Sequence, residues 1–451
     1  MRLLHTAILA RSPWELLGWG VLVAGLLLGF GIAEARVVNN GCTDFTGFCE
    51  GGRYVLEHGT RDPHSTLARY WPSADVPWIL FSFLPLPLGG AIWYTIGAWS
   101  WLGLLRTING EMFTGQEPAR RQSVLVAGLL VAPLAIGGLC LGSFHVLMVW
   151  LMVAGLLRAC CGQTWSGGLL LGLACWLKLL PLLGTGYLLL NRRWRPALVA
   201  LGFTVLLDVG LSVGAFGLCG AWDEHVAWWH HGVGKTMRRQ LANPRPGDED
   251  RPTNQSLAVT ARRLLSTYGD LGDVARQRVA LAELAPWQLQ TVYLAATAFL
   301  AVGVGVFCRR GMVPASGCEA DSSLAVSDAG ETPAPRASGD LPAQIALVVL
   351  ATLWFSPVVW SYHLTAATPA LAVVLYHLRH QQARAWVVIG VWLAAMGLLA
   401  WPLARAASVL LWLGLLLGLV LVRLRSAPGA SIGRFRSDRE SAALKLGHAE
   451  A

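Results

Sequence analysis

The earliest cluster of groups able to move a proton lies in the polar stretch Gly41–Ser73, GCTDFTGFCEGGRYVLEHGTRDPHSTLARYWPS. Asp44 stands only a few residues beyond a long apolar segment, so its carboxylate is expected close to a membrane surface, against a low-dielectric wall. Such a carboxylate suits a general base for a lipid-linked substrate. By position alone it equally suits the cap of a loop helix. His363 closes the segment SPVVWSYH, where Pro357 should kink the end of a span and aim the following turn inward. It reads either as an interfacial anchor or as a group facing a substrate. Lys178 lies in an apolar block beside Pro181; an ammonium there either takes a partner or snorkels to the interface. His230 and His231, after Trp228 and Trp229, read as part of an interfacial aromatic belt.

These groups need apolar elements to hold them. Of the 451 residues 55% are hydrophobic and 14% charged, and mean hydropathy is +0.51. Soluble domains carry about 25% charged residues, so the composition is that of an all-α, polytopic membrane protein. The first span is expected over Trp14–Ala33, retained rather than cleaved as a signal peptide. Residues 34–76 then form the first outer loop. A second span, Pro77–Leu105, is expected to kink at Pro85 and Pro87, with further spans at Val124–Leu141 and on to Arg158. The block Trp165–Leu190 has Arg158 before it and Arg192, Arg193 and Arg195 after it. Both ends therefore read as cytoplasmic, and the block should be a hairpin broken near Lys178–Pro181.

Downstream, spans are expected at Pro196–Leu218, Trp287–Phe307, Pro342–Trp360, Leu364–Leu378, Trp386–Pro402 and Ala406–Val422. That makes about twelve, with both termini inside. Residues 219–286 form a long outer loop, 308–340 a disordered cytoplasmic linker rich in Ala, Ser, Gly and Pro, and 423–451 a cytoplasmic tail. The long loop carries nine Lys and Arg from Lys235 to Arg278, against the positive-inside pattern. Loops of that length translocate regardless of charge. Its cations suit either phosphate and anionic lipid or a plainly solvated helix.

The net charge of +9 lies mostly on loop arginines, which fits an anionic membrane surface and not a nucleic-acid groove. The nine cysteines show no CxxC pair and no zinc-like Cys/His spacing. Cys42 and Cys49 flank Asp44 and could pair in an oxidising compartment. There is no G-x-x-x-x-G-K-[ST] loop, and no soluble segment is long enough for a doubly wound sheet. A transferred group would have to come from a donor already in the membrane.

Five pieces of sequence resemble glycosyltransferase family 87, from about Thr43 to His363. Asp44-Phe45 looks like the Asp-Phe pair of that family's first outer loop, and Arg69-Tyr70-Trp71-Pro72-Ser73 resembles its Tyr-x-Tyr-Pro-Pro element. Gly172-Leu173-Ala174 through Lys178 to Pro181, with Asn191-Arg192-Arg193-Trp194-Arg195, is similar to its G-L-A-x-x-x-K-x-x-P and R-R-W-R segment. Asn254-Gln255-Ser256-Leu257 resembles its N-Q-S-L element, and Ser356-Pro357 to His363 its S-P-x-x-W-x-H-H end. The residue after His363 is Leu364, so a role shared by two histidines is not carried over.

The resemblance implies the multi-span GT-C fold, with an outward-facing cavity and extracytoplasmic catalytic loops. It also implies an inverting transfer of a sugar, mannose first, from a polyprenyl-phosphate donor to a glycolipid or glycan acceptor, without a nucleotide or other cofactor. Asp44 is the expected base and His363 its catalytic companion. Phe45, Arg69, Tyr70, Lys178, Asn254, Gln255 and Trp360 are expected to contact substrate, and no metal ligand is expected. The implied setting is a multi-pass protein of the plasma or inner membrane. The competing reading is a transporter or flippase for a lipid-linked or anionic substrate, which would lean on intramembrane charges such as Lys178 and Asp208. Only the break at Lys178–Pro181 supports it, with no matching second half.

Overall fold

The computed structural model describes residues 12–39, 43–62, 70–113, 117–233, 254–265, 281–309, 340–356, 359, 361–399 and 408–426. Within these, all regular structure is helical. Four helices are long and apolar enough to cross a bilayer: α1 (Pro13–Val38), α5 (Glu117–Cys140, over Pro118–Cys140), α9 (Trp194–Ala227, with its continuation to His230) and α11 (Pro286–Arg309, over Trp287–Arg309). Shorter apolar helices stand among them: α6 (His145–Cys160), α7 (Thr164–Leu177), α12 (Leu341–Phe355), α14 (Gln382–Leu398) and part of α15 (Val409–Ser426). Large apolar side chains point outward on the long helices: Leu27 and Leu28 on α1, Phe299 and Val302 on α11. An apolar outside over a helical backbone is what hydrocarbon requires, because every peptide group is satisfied within its own segment. The chain is a membrane protein.

The remaining helices are α2 (Thr43–His58), α3 (Val76–Ser82), α4 (Leu86–Thr107), α8 (Leu182–Leu190), α10 (Leu257–Leu265) and α13 (Thr368–His377). α1 starts as its sequence dictates: the Ser12 hydroxyl accepts the Glu15 N–H at 3.2 Å, with Pro13 in the first turn. It runs to Val38, past the expected end at Ala33. The expected second span is two helices, because the chain leaves helical form between Ser82 and Leu86, where Pro85 and Pro87 interrupt the N–H ladder. α9 also outruns its expected end at Leu218, continuing past a break at Gly217 (φ 69°), so the start of the long loop is helical.

α6 and α12 are apolar on every side and buried on almost every side, so they form the centre. α7 reaches that centre through glycine. A Cβ on Gly167 would lie 2.4 Å from the Ala159 nitrogen of α6, and one on Gly172 would lie 2.6 Å from the Ala200 carbonyl of α9. Lipid gives no hydrophobic drive between helices, so such close backbone approach supplies the packing that holds α6, α7 and α9 together.

α7 ends at Leu177 because a proline four residues on, Pro181, would remove its hydrogen bond and press on that carbonyl. Lys178 is extended (φ −158°, ψ 143°), and α8 then runs back along α7. Cys175 Sγ and Thr185 Oγ1 lie 3.7 Å apart, and Arg193 donates to the Ala159 carbonyl at 3.3 Å, returning the arginines to the end of α6. The arginine pattern and the fold agree on a hairpin with Lys178 at its tip. Cys49 is buried, and Cys42, its expected partner, lies outside the described residues.

Gly167→Ala should lower thermal stability by about 1–3 kcal/mol despite alanine's better helix propensity. Gly186→Ala on α8, where nothing lies within 4 Å of an added Cβ, should be neutral or mildly stabilising. Thermal unfolding of both purified variants in one detergent checks the contrast.

Candidate functional site

Asp44 occupies the first turn of α2. Its N–H and that of Phe45 both donate to the Leu141 carbonyl, at 3.2 and 3.3 Å, which docks α2 on the turn after α5. Gly142 in that turn has φ 75°, and a Cβ there would lie 2.4 Å from the Phe45 Cβ. Only glycine fits both the backbone angle and the contact. Phe45 is 1% exposed and packs edge-on to Trp78 and Phe81. Its expected substrate contact is therefore not where the ring goes: it anchors the carboxylate beside it.

Two segments distant in sequence, at Lys178 and at Tyr362, act on the Asp44 carboxyl group. Lys178 Nζ lies 3.3 Å from His363 Nε2. The ammonium can only donate, so His363 Nε2 accepts and its ring proton sits on Nδ1. His145, at the start of α6, donates from Nε2 to the His363 carbonyl at 3.0 Å, with the two rings 4.5 Å apart. Tyr362 packs edge-on to His363, with ring centroids 4.6 Å apart, and its hydroxyl bears on the Asp44 carboxyl group. Burial pushes the Asp44 pKa up to about 6, and the Lys178 charge and the Tyr362 hydrogen bond hold it from rising further. A carboxyl group titrating there is ionised at neutral pH and still basic enough to take a hydroxyl proton.

Tyr70 packs edge-on to Phe144 at 5.3 Å. The Trp71 indole donates to the Cys175 carbonyl at 2.9 Å and stacks on Trp228 at 4.9 Å. Below them Asp208, 3% exposed, accepts the Ser73 N–H and hydroxyl through Oδ1, while Oδ2 lies 2.8 Å from His225 Nε2. The Trp176 indole donates to the same Ser73 hydroxyl. Arg61 adds a 2.6 Å ion pair with Asp75 and a backbone bond to Glu224. These bonds fasten the ends of the 61–75 segment to α7 and α9.

Asn254 and Gln255 are buried, at 0% and 1% exposure. Asn254 Oδ1 accepts the N–H groups of Ser256 (3.1 Å) and Val359 (3.0 Å), and the Gln255 N–H donates to the Val359 carbonyl at 2.7 Å. Arg263 braces this clasp by donating to the Asn254 carbonyl and to Ser408. Both residues thus bind the chain leading to Tyr362 and His363, rather than an open surface. Arg69 and Trp360 lie outside the described residues. Among the described residues, no three His, Cys, Asp or Glu side chains group as a metal site.

Sequence reasoning named Asp44, Lys178 and His363, and the fold brings them together. It missed Tyr362 and His145. His145 closes a short turn visible as a span boundary, and Tyr362 stands inside a quoted motif. Counted from Trp360, the two histidines of S-P-x-x-W-x-H-H fall on Tyr362 and His363, not on His363 and Leu364, which corrects the reading above. Leu364 is fully buried in the apolar core.

A helical membrane protein with an elevated carboxyl pKa beside a buried ammonium has the equipment of a group transferase. Residues 69–321, more than half of the chain, match glycosyltransferase family 87, and the chain belongs to that family. It is a glycosyltransferase. No curated protein and no solved structure matches it. The matched stretch holds Tyr70, Lys178, Asn254 and Gln255 but neither Asp44 nor His363, which only the fold places beside Lys178.

Asn254→Ala should cost about 1–3 kcal/mol, because it leaves two buried N–H groups without their acceptor. Asn254→Asp, which keeps an acceptor oxygen, should lose less. Comparing thermal midpoints of the two variants reads the difference.

Proposed function

We propose that the chain transfers a sugar, mannose first, from a polyprenyl-phosphate donor to a lipid or glycan acceptor, with inversion and with Asp44 as general base. The observation that carries this reading is the meeting of Asp44, with a pKa of about 6, and the Lys178–His363 pair. The acceptor oxygen attacks the anomeric carbon as Asp44 takes its proton. The bond from that carbon to the phosphate oxygen breaks, and polyprenyl phosphate leaves with the bonding electrons. Lys178 offsets the charge on the departing phosphate, and His363 fixes the ammonium's direction. Phosphate is a good leaving group, so one base with cationic stabilisation suffices and no cofactor is required.

The site would lie on the outer face of a plasma or inner membrane, in a GT-C bundle of about twelve spans. Burial of Lys178 at a hairpin tip, beside a carboxylate and a histidine, favours chemistry there over a transport path. Asp208 is likewise held by Ser73 and His225.

Membranes carrying the native chain should move label from radiolabelled polyprenyl-phosphate mannose into a lipid or polymer fraction. Asp44→Asn, at equal expression, should lower that rate by about 10²–10⁴-fold. Equal incorporation by the variant would remove Asp44 from the reaction. The base must be ionised, so kcat/KM should rise with pH up to about 6 and level above it. Below that point it should fall about tenfold per unit.

A further inference from the structure

α9 is too long for the bilayer it crosses. Its 34 residues, Trp194–Ala227, measure about 51 Å at about 1.5 Å per residue, against about 30 Å of hydrocarbon. Keeping all of it in hydrocarbon would take a tilt of about 54°, where spanning helices reach about 40°. The excess is resolved at Gly217, whose φ of 69° and ψ of 174° interrupt the helix. The part before the break, about 35 Å long, suffices to cross, and it turns Leu198, Val205 and Leu206 outward. The part after it, 218–227 and the turn Trp228–Val233, must leave the hydrocarbon. It stays apolar on one side as it does so. Leu218 (76% exposed), Trp222 (72%), Val226 (40%) and Trp229 (61%) recur at intervals of four, four and three, which is one face of a helix. Cys219, Asp223 and Ala227 stand exposed on the side next to it. The third side is turned to the protein: Ala221 is buried, Glu224 accepts the Arg61 N–H at 3.0 Å, His225 meets Asp208, and Trp228 stacks on Trp71.

We propose that residues 218–230 lie along the membrane surface as an interfacial helix, with Trp222 and Trp229 dipped into the headgroup boundary. A lipid surface is the partner this stripe fits. The stripe follows directly on the lipid-facing side of α9, and tryptophan suits a boundary where its ring is apolar and its N–H is wet. From Leu218 to Val233 there is no lysine or arginine, so the attachment is apolar and needs no anionic lipid. The two tryptophans expected together in a belt thus divide: Trp229 is turned outward, and Trp228 is turned to Trp71. Through Glu224, His225 and Trp228 the helix also holds the 61–75 segment. In that segment the Trp71 indole is bonded to the Cys175 carbonyl, three residues before Lys178. The interfacial helix thereby ties this segment to the membrane surface at the end of the bundle where Lys178 stands.

The test places a fluorophore on single introduced cysteines of the full chain, in a Cys219→Ser background, reconstituted in phosphatidylcholine vesicles. Trp222→Cys and Val226→Cys put the label on the stripe, and Ala227→Cys puts it on the exposed side away from it. All three positions are exposed, so packing is little disturbed, and either stripe position serves if the other does not fold. Signal from the background chain without an introduced cysteine is subtracted. Lipids with a nitroxide near the headgroup should remove most of the fluorescence from the two stripe labels and little from the Ala227→Cys label. Aqueous iodide should do the reverse. A nitroxide deep in the acyl chain should quench the stripe labels less than the shallow one, as a depth of about 5–10 Å requires. Iodide quenching on the stripe equal to that at Ala227→Cys overturns the proposal, because the helix then stands in water. Shielding of the stripe labels from both lipid and iodide overturns it as well, because protein then covers that face. Stronger quenching by the deep nitroxide than by the shallow one also overturns it, because the segment then continues into hydrocarbon.

Discussion

A carboxylate and an ammonium share one poorly solvated corner of this protein, and much of the surrounding structure exists to keep them there. Burying either charge alone is costly; burying them together, with hydrogen bonds to the remaining polar atoms, is tolerable. Lys178 and Tyr362 both act on the Asp44 carboxyl group, and Lys178 meets His363, whose carbonyl is taken by His145. Tyr362 and His363 share one turn and the others come from separate helix ends, so the corner joins α2, α6, the α7–α8 tip and the turn before α13. The arrangement leaves Asp44 partly solvated, with burial the larger influence on its pKa and attraction to Lys178 the smaller.

Around that corner, polar groups act mainly as fasteners. Asp208, Ser73, His225 and Trp176 form one connected set that binds the 70–75 segment to α7 and α9. Asn254, Gln255 and Arg263 do the same for the chain before His363. Inside a bilayer-spanning bundle an unsatisfied polar group is expensive, so these residues are strongly committed to their partners. That explains why residues resembling a substrate-contact motif, Asn254 and Phe45 among them, turn out to be buried supports. A short sequence motif cannot distinguish a group that touches substrate from one that positions the group that does.

The scaffold itself rests on small residues. The run of glycines along α7 lets backbone meet backbone on two sides, against α6 at Gly167 and against α9 at Gly172. Pro181 then ends the helix where the turn must present Lys178. Close packing and a forced stop together put an ammonium at the tip of a hairpin whose far end carries Arg192, Arg193 and Arg195.

The sequence by itself determined the helical membrane class, the hairpin at Lys178–Pro181 and the candidacy of Asp44, Lys178 and His363. Those properties act along the chain: hydropathy over a segment, arginine at its ends, proline at a break. Helix ends at Val38 and Ala227 escaped it, because a helix continues past the apolar stretch wherever packing supports it. Only the tertiary structure decided that Lys178 and His363, 185 residues apart, touch, and that Tyr362 and His145 join them. It also decided that Asn254 faces a backbone and not a cavity. Such meetings follow from how helices pack around α6 and α12, and packing is a property of surfaces brought together from the whole chain, with no local signature at any one residue.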